Sequence, residues 1–234
     1  MNSVVFGASG GIGRAVVEHL LTRASTVIAV SRSGADIPGA TSLAADFTDE
    51  TEIAAAAAKI GETTTPDLVI VASGLLSGPD GLEPEKSYRH QSMDAFQRVF
   101  AINTFAPALV AKHMFPLMPR KERAVFAALS ARVGSISDNR MGGWHAYRAS
   151  KAALNMLIRN FAIEQARRNP NFIVVGLHPG TVDTGLSKPF QSGVPDTQLF
   201  TPSHSAGQML DVLESLTPDH SGQVFDYAGE PIAP

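Results

Sequence analysis

Short β-branched apolar runs alternate along the chain with longer stretches whose apolar positions recur every three to four residues. Ser3–Phe6, Thr26–Val30, Leu68–Val71, Ala124–Leu129 and Phe172–Leu177 are short, predominantly apolar runs bounded by turn residues. That pattern predicts parallel strands buried on both faces. Between them, Ile12–Arg23, Glu50–Ile60, Ser92–Met118 and Ala146–Arg168 carry helical periodicity. The alanine run Ala54–Ala58 fits a helix lying close against a sheet. A last helix near Ser205–Leu216 and a last strand, Gln223–Tyr227, close the series. The alternation predicts an α/β fold: a doubly wound parallel β-sheet with right-handed crossovers and helices on both faces. No internal repeat or linker divides it, so residues 1–234 read as one domain. The Pro- and Gly-rich stretch from Thr184 to Pro202 is long for a connection, which predicts a lid over a site.

Composition narrows the function classes. With 44% hydrophobic and 18% charged residues and a net charge of −3, no basic excess favours nucleic acid or an anionic membrane as partner. The absence of cysteine removes disulfides, thiol nucleophiles and thiolate metal sites. The seven histidines show no metal-ligand spacing, so no metal is expected. The first predicted strand leaves no room for a leader, and no apolar run approaches the roughly 20 residues of a membrane helix. A soluble, cytoplasmic protein is the expectation.

The stretch "VVFGASGGIGRAVVEHL" supports two readings. Gly7-Ala8-Ser9-Gly10-Gly11 fits G-x-S-x-G, which would make Ser9 the nucleophile of a hydrolase. Gly7, Gly11 and Gly13 also fit GxxxGxG between the first strand and the first helix. In that second reading the glycines give a tight turn, backbone approach to a pyrophosphate and close helix packing, and the helix N-terminus faces the phosphates. With only six residues ahead of the motif and each glycine given a task, the dinucleotide reading is preferred. Ser9 then belongs to a phosphate cradle.

In "WHAYRASKAALNML", Tyr147 and Lys151 stand one helical turn apart and share a face. Bringing a phenol from near 10 to near 7 takes about 4 kcal/mol of phenolate stabilisation. An adjacent ammonium, with an oxidised nicotinamide, has the right sign to supply it. Such a tyrosine exchanges a proton with a carbonyl or alcohol oxygen as hydride moves.

Together with "SARVGSISDN", "LHPGTVDTGLSKPF" and "LFTP", these motifs resemble the short-chain dehydrogenase/reductase family over essentially the whole chain, in its C-factor-like, carbonyl-reductase-related branch. The resemblance implies a Rossmann fold that binds NAD or NADP without a metal. It implies Tyr147 as acid/base, Lys151 as its partner and ribose ligand, and Asn103 as holder of a relaying water. Coenzyme contacts are implied at Gly7, Ser9, Gly11, Ile12, Gly13, Asp46, Phe47, Gly74, Lys151, Pro179, Gly180, Val182 and Thr184. Two positions depart from the family. Its Asn-Asn-Ala-Gly is Val71-Ala72-Ser73-Gly74 here, and the usual catalytic-serine position, three before Gly134, is Ala131. Ser130 is therefore taken as the residue that binds the substrate oxygen, with Ser135 as challenger.

The second strand ends in Ser31-Arg32-Ser33, where an acidic residue would bind ribose hydroxyls and repel a 2′-phosphate. The planar cation Arg32 predicts NADP(H) over NAD(H). Trp144, Met141, Phe190 and Leu199 read either as a substrate wall or as surface buried by the lid or another subunit. His178 reads as shaping a strand exit. The family also implies a homodimer or homotetramer. The leading expectation is an NADPH-dependent reductase of an aldehyde or ketone; the alternative is a coenzyme-binding regulatory protein of C-factor type.

Overall fold

The computed structural model describes residues 1–23 and 26–234. Its strands are β1 Asn2–Phe6, β2 Thr26–Ser31, β3 Thr41–Ala44, β4 Leu68–Val71, β5 Ala124–Leu129, β6 Phe172–His178, β7 Thr181–Val182, β8 Leu199–Phe200 and β9 Val224–Asp226. Its α-helices are α1 Gly11–Thr22, α2 Glu50–Thr63, α3 Met93–Phe100, α4 Ala106–Met114, α5 His145–Ala166 and α6 Pro202–Ser215. Seven strands form one parallel sheet in the order β3-β2-β1-β4-β5-β6-β9, and β7 pairs with β8 apart from it.

The continuous apolar runs follow from this layering. Along β1, Val4 and Phe6 face a core shared with α2, α4 and α5, whereas Val5 faces a core shared with α1 and α6. β5 repeats the alternation, with Phe126 on one side and Val125 and Ala127 on the other. A sheet covered on both faces needs apolar side chains at every strand position. The chain winds outward through β1, β2 and β3, then returns to β4 on the other side of β1. That reversal opens a crevice at the carboxyl ends of β1 and β4, the place where doubly wound sheets bind ligands.

Two differences from the sequence reading stand out. Thr41–Ala44 forms the edge strand β3; it is half-exposed and carries Thr and Ser, so it lacks the apolar run that marks its neighbours. The long helix expected over Ser92–Met118 is broken into α3, a π-turn at Ala101–Phe105, α4 and a short 3₁₀ turn at Phe115–Leu117. Pro107 explains the break: it has no N–H to offer the carbonyl four residues back, that of Asn103, and its ring crowds that carbonyl. Widening to a π-turn relieves the conflict. The break places Asn103, fully buried, at the bend.

Candidate active site

At the carboxyl end of β1, Gly7 adopts φ +87°, and a Cβ there would lie 2.8 Å from the Ser73 nitrogen. A Cβ on Gly13 would lie 2.1 Å from the Gly7 carbonyl oxygen, so only glycine lets α1 pack this closely on the turn. At Gly11 the neighbour is the Thr184 methyl, 2.7 Å from a built Cβ, which brings the segment after β7 onto the start of α1. Helix α1 starts from Gly10 with no side-chain cap and no acidic residue in its first turn. Its free N–H groups and positive end are left for an anion. Ser9 is exposed on the same turn and Ile12 is partly covered.

Arg32, exposed just past β2, lies close enough to Asp46 past β3 to favour its carboxylate. Asp46 is held below the usual carboxylate range first by hydrogen bonds from the Thr48 N–H and hydroxyl, then by Arg32. The Phe47 ring packs edge-on against Phe6 in the core, leaving only its backbone to meet a ligand. Past β4, Asn103 accepts from the Leu75 N–H at 2.8 Å, donates to the Leu75 carbonyl at 2.8 Å and donates to Ser150 Oγ at 3.1 Å. It ties the loop beside Gly74 to α5, whereas the nearby Ser73 Oγ is buried without a partner.

Tyr147 and Lys151 project from the first turns of α5. The Lys151 ammonium nitrogen is 5.9 Å from the Tyr147 ring centre and donates to the Leu129 carbonyl at 2.7 Å. Burial pushes Lys151 down to about 7, because a charge there has lost its water. Burial likewise pushes the Tyr147 phenol up to about 12. The Lys151 ammonium is turned to a backbone carbonyl, and at the phenol burial is the cause that acts.

Tyr147 faces a cavity of about 330 Å³ lined by Ile12, Ser130, Ala131, Trp144, His178 and Thr184, among others. It joins the start of α1 to the phenol. Pro179, Gly180 and Val182 also line it. Ser130 stands in this wall, but its hydroxyl donates to Asn155 Oδ1 at 2.6 Å. Ser135 is outside it, its hydroxyl contacting the Pro234 carbonyl and the Asp138 N–H. Of the expected apolar wall, Trp144 and Phe190 are present with ring centres 5.2 Å apart. Leu199 is instead paired in β8, and Met141 is 89% exposed. A larger cavity of about 620 Å³ lies elsewhere along α5, between Met156 and the C-terminal Pro231–Pro234, and is largely apolar. Neither Tyr147 nor the glycine turn lines it.

Comparison with known proteins decides the family: the one described as short chain dehydrogenase matches residues 2–194. The chain belongs to it. The C-signal of Myxococcus xanthus is 40% identical over 132 residues, 56% of this chain and 74% of that protein. The 1-hydroxy-2-glutathionyl-2-methyl-3-butene dehydrogenase of Rhodococcus sp. (strain AD45) is 31% identical over 225 residues, 94% of this chain and 93% of that one. Among solved structures, an NADPH-bound carbonyl reductase from chicken fatty liver superposes with a TM-score of 0.84 at 27% identity, covering 99% of this chain and 98% of its own. A short-chain dehydrogenase/reductase from Burkholderia multivorans with bound NADP gives the same values. This short-chain dehydrogenase is thus an oxidoreductase of a family that binds a nicotinamide coenzyme, with a Rossmann-type single-domain fold.

Leu76, Leu186 and Val194 also line the cavity of this short-chain dehydrogenase; sequence reasoning singled out none of them, although Leu186 and Val194 lie in the expected lid, and His178, read as shaping a strand exit, lines it too. His178 is pushed down to about 4 by burial first and by Arg132 second, so it is neutral at physiological pH. Its Nδ1 is buried without a partner. The two leucines and the valine lie in loops whose course no periodicity signals. Among the described residues, no helix is long and apolar enough to cross a membrane, and no cluster of potential metal ligands occurs.

Proposed function

We propose that the protein is an NADPH-dependent reductase of aldehydes or ketones. The observation that carries this reading is one continuous cavity that runs from the start of α1 to the Tyr147 phenol, with Lys151 buried behind it. A Cβ on Gly7, Gly11 or Gly13 would strike Ser73, Thr184 or the Gly7 carbonyl, so the turn packs tightly under the uncapped start of α1, which suits a dinucleotide pyrophosphate. Arg32 supports preference for the 2′-phosphorylated coenzyme, as do the NADPH- and NADP-bound structural neighbours. Asp46 would meet the adenine edge, and Lys151 the ribose. The segment from Thr184 to Pro202 would close over the nicotinamide as a lid within the single domain.

The bound coenzyme would supply hydride to the carbonyl carbon. Tyr147 supplies the proton to the carbonyl oxygen, and a phenol held at about 12 keeps that proton through neutral pH, which favours reduction. Lys151, near 7, can give up and regain a proton under the same conditions, so it can reload the phenol. Asn103 holds Leu75 and Ser150, fixing the loop and helix between which a relaying water would sit. Ser130 would bind the substrate oxygen once its hydroxyl swings from Asn155. The exposed apolar side chains Phe105, Met156 and Ile163 support association into a homodimer or homotetramer.

The likeness to a C-signal favours one alternative, a coenzyme-binding regulatory protein without important turnover. The test is NADPH oxidation across a panel of aldehydes and ketones, beside direct titration of NADPH and NADH. Turnover above background that prefers NADPH supports the reductase. Tight coenzyme binding without turnover on any carbonyl supports the regulatory protein.

A further inference from the structure

Helix α5 carries Tyr147 and Lys151, yet its N-terminus is built without a cap of its own. The residue before it, Trp144, has φ 50° and ψ 44° and makes no side-chain capping bond. Among the described residues, Trp144 alone adopts positive φ without being glycine; Gly142 and Gly143, directly before it, adopt φ 63° and 68°. A large aromatic residue is held in a left-handed conformation that it would not choose. Helices α2, α3 and α6, by contrast, are capped by Asp49, Ser92 and Thr201 in the ordinary way.

The missing cap comes from Glu85, in the loop between β4 and α3. Its backbone carbonyl accepts from the Trp144 N–H at 2.6 Å. Its carboxylate oxygens accept from the Ala146 N–H at 3.3 and 3.2 Å. Glu85 is 4% exposed, and no basic side chain among the described residues pairs with it. Its buried carboxyl group is met by the Ala146 N–H at the positive end of α5. Ala146 adjoins Tyr147 and packs with Leu82, Leu75 and Tyr147 in a small apolar cluster under the same loop.

What Glu85 holds in place is one wall of the cavity. The Trp144 ring meets the Tyr147 ring edge-on, centres 6.2 Å apart, and meets Phe190 of the Thr184–Pro202 segment at 5.2 Å. We infer that Glu85 is a positioning residue, which by capping α5 from outside fixes the Trp144 wall and the seating of Tyr147. It does not line the Tyr147 cavity, so it acts through these neighbours. The inference deepens the reductase reading and rests on it for its kinetic consequence, but not for its structural one.

Trp144 is the sole tryptophan, so intrinsic fluorescence reports on this wall directly. The variants are Glu85→Ala and Glu85→Met, which remove the side-chain acceptor of the Ala146 N–H and keep the backbone carbonyl, the latter also keeping the bulk, and Glu85→Gln, which keeps a side-chain acceptor without the charge. With Ala or Met, Trp144 emission should shift to the red and acrylamide should quench it more steeply. Displacing the acid/base by a fraction of an ångström should lower kcat by about ten- to a hundredfold. The dissociation constant for NADPH should change far less than kcat, because the hydrogen bonds of Glu85 go to Trp144 and Ala146 and not to the glycine turn. Glu85→Gln should restore most of both properties. Parental emission, quenching and kcat in Ala or Met would overturn the inference, and so would a Gln variant as impaired as Ala. If the parent protein turns over no carbonyl, the reductase reading fails while the fluorescence series still decides the role of Glu85.

Discussion

Lys151 offers the most quantitative test of the site. Its ammonium group, 2% exposed, is depressed from an ordinary 10.5 to about 7 by burial, with a single backbone carbonyl as partner. Above pH 7 the folded protein has released this proton while the unfolded chain retains it. The unfolded state then binds more protons, so stability must rise with pH. Lysine burial destabilises fully below pH 7, and the penalty fades as pH approaches 10.5. Replacing Lys151 by Met removes this term and leaves the others. Between pH 7 and 9.5 the parent should gain about 3 kcal/mol relative to Lys151→Met, near 1.4 kcal/mol per pH unit. His178, near 4, and Tyr147, near 12, titrate outside the window. Urea unfolding followed by Trp144 fluorescence at several pH values gives the difference directly. Loss of the bond to Leu129 only offsets the two curves. A difference that stays flat across the window would refute the buried, uncompensated lysine.

Gly13→Ala should weaken NADPH binding by on the order of ten- to a hundredfold in a calorimetric titration, since the new methyl meets the Gly7 backbone carbonyl at 2.1 Å and the turn must shift. Unaltered affinity would remove the cradle from the account. Arg32→Ala should reduce the NADPH over NADH preference in kcat/KM by roughly ten- to a hundredfold, the worth of a charged hydrogen bond to phosphate. An unchanged ratio would assign Arg32 to solvent alone. Ser130→Ala should lower kcat by about tenfold or more, whereas Ser135→Ala should leave kcat intact, because only Ser130 stands in the cavity wall. The reverse order would favour the challenger.

Much of this fold was legible because the two sequence periods are clean. Where helices cover both faces, strands such as "SVVF" and "AVFAAL" are apolar at nearly every position, and each appears within a residue of its expected place. The edge strand β3 escaped because half-exposed residues carry no such signature. The break in the third helix was written in Pro107, whose missing N–H outweighs an otherwise sound helical pattern. Tyr147 and Ile12, the residue between Gly11 and Gly13, line one cavity, because the turn after β1 and the start of α5 both lie at the carboxyl edge of the sheet. Glu85 was illegible for the opposite reason. It caps a helix 61 residues away, and no local spacing announces a bond across that distance.

The central claim is that Tyr147 delivers the proton as hydride reaches a carbonyl. Single-turnover mixing of NADPH-loaded protein with an aldehyde, parent against Tyr147→Phe, isolates that step by the fall in nicotinamide absorbance. The expected result is a rate lower by about a hundredfold or more in the variant, with NADPH affinity unchanged. Equal rates in the two proteins would contradict it.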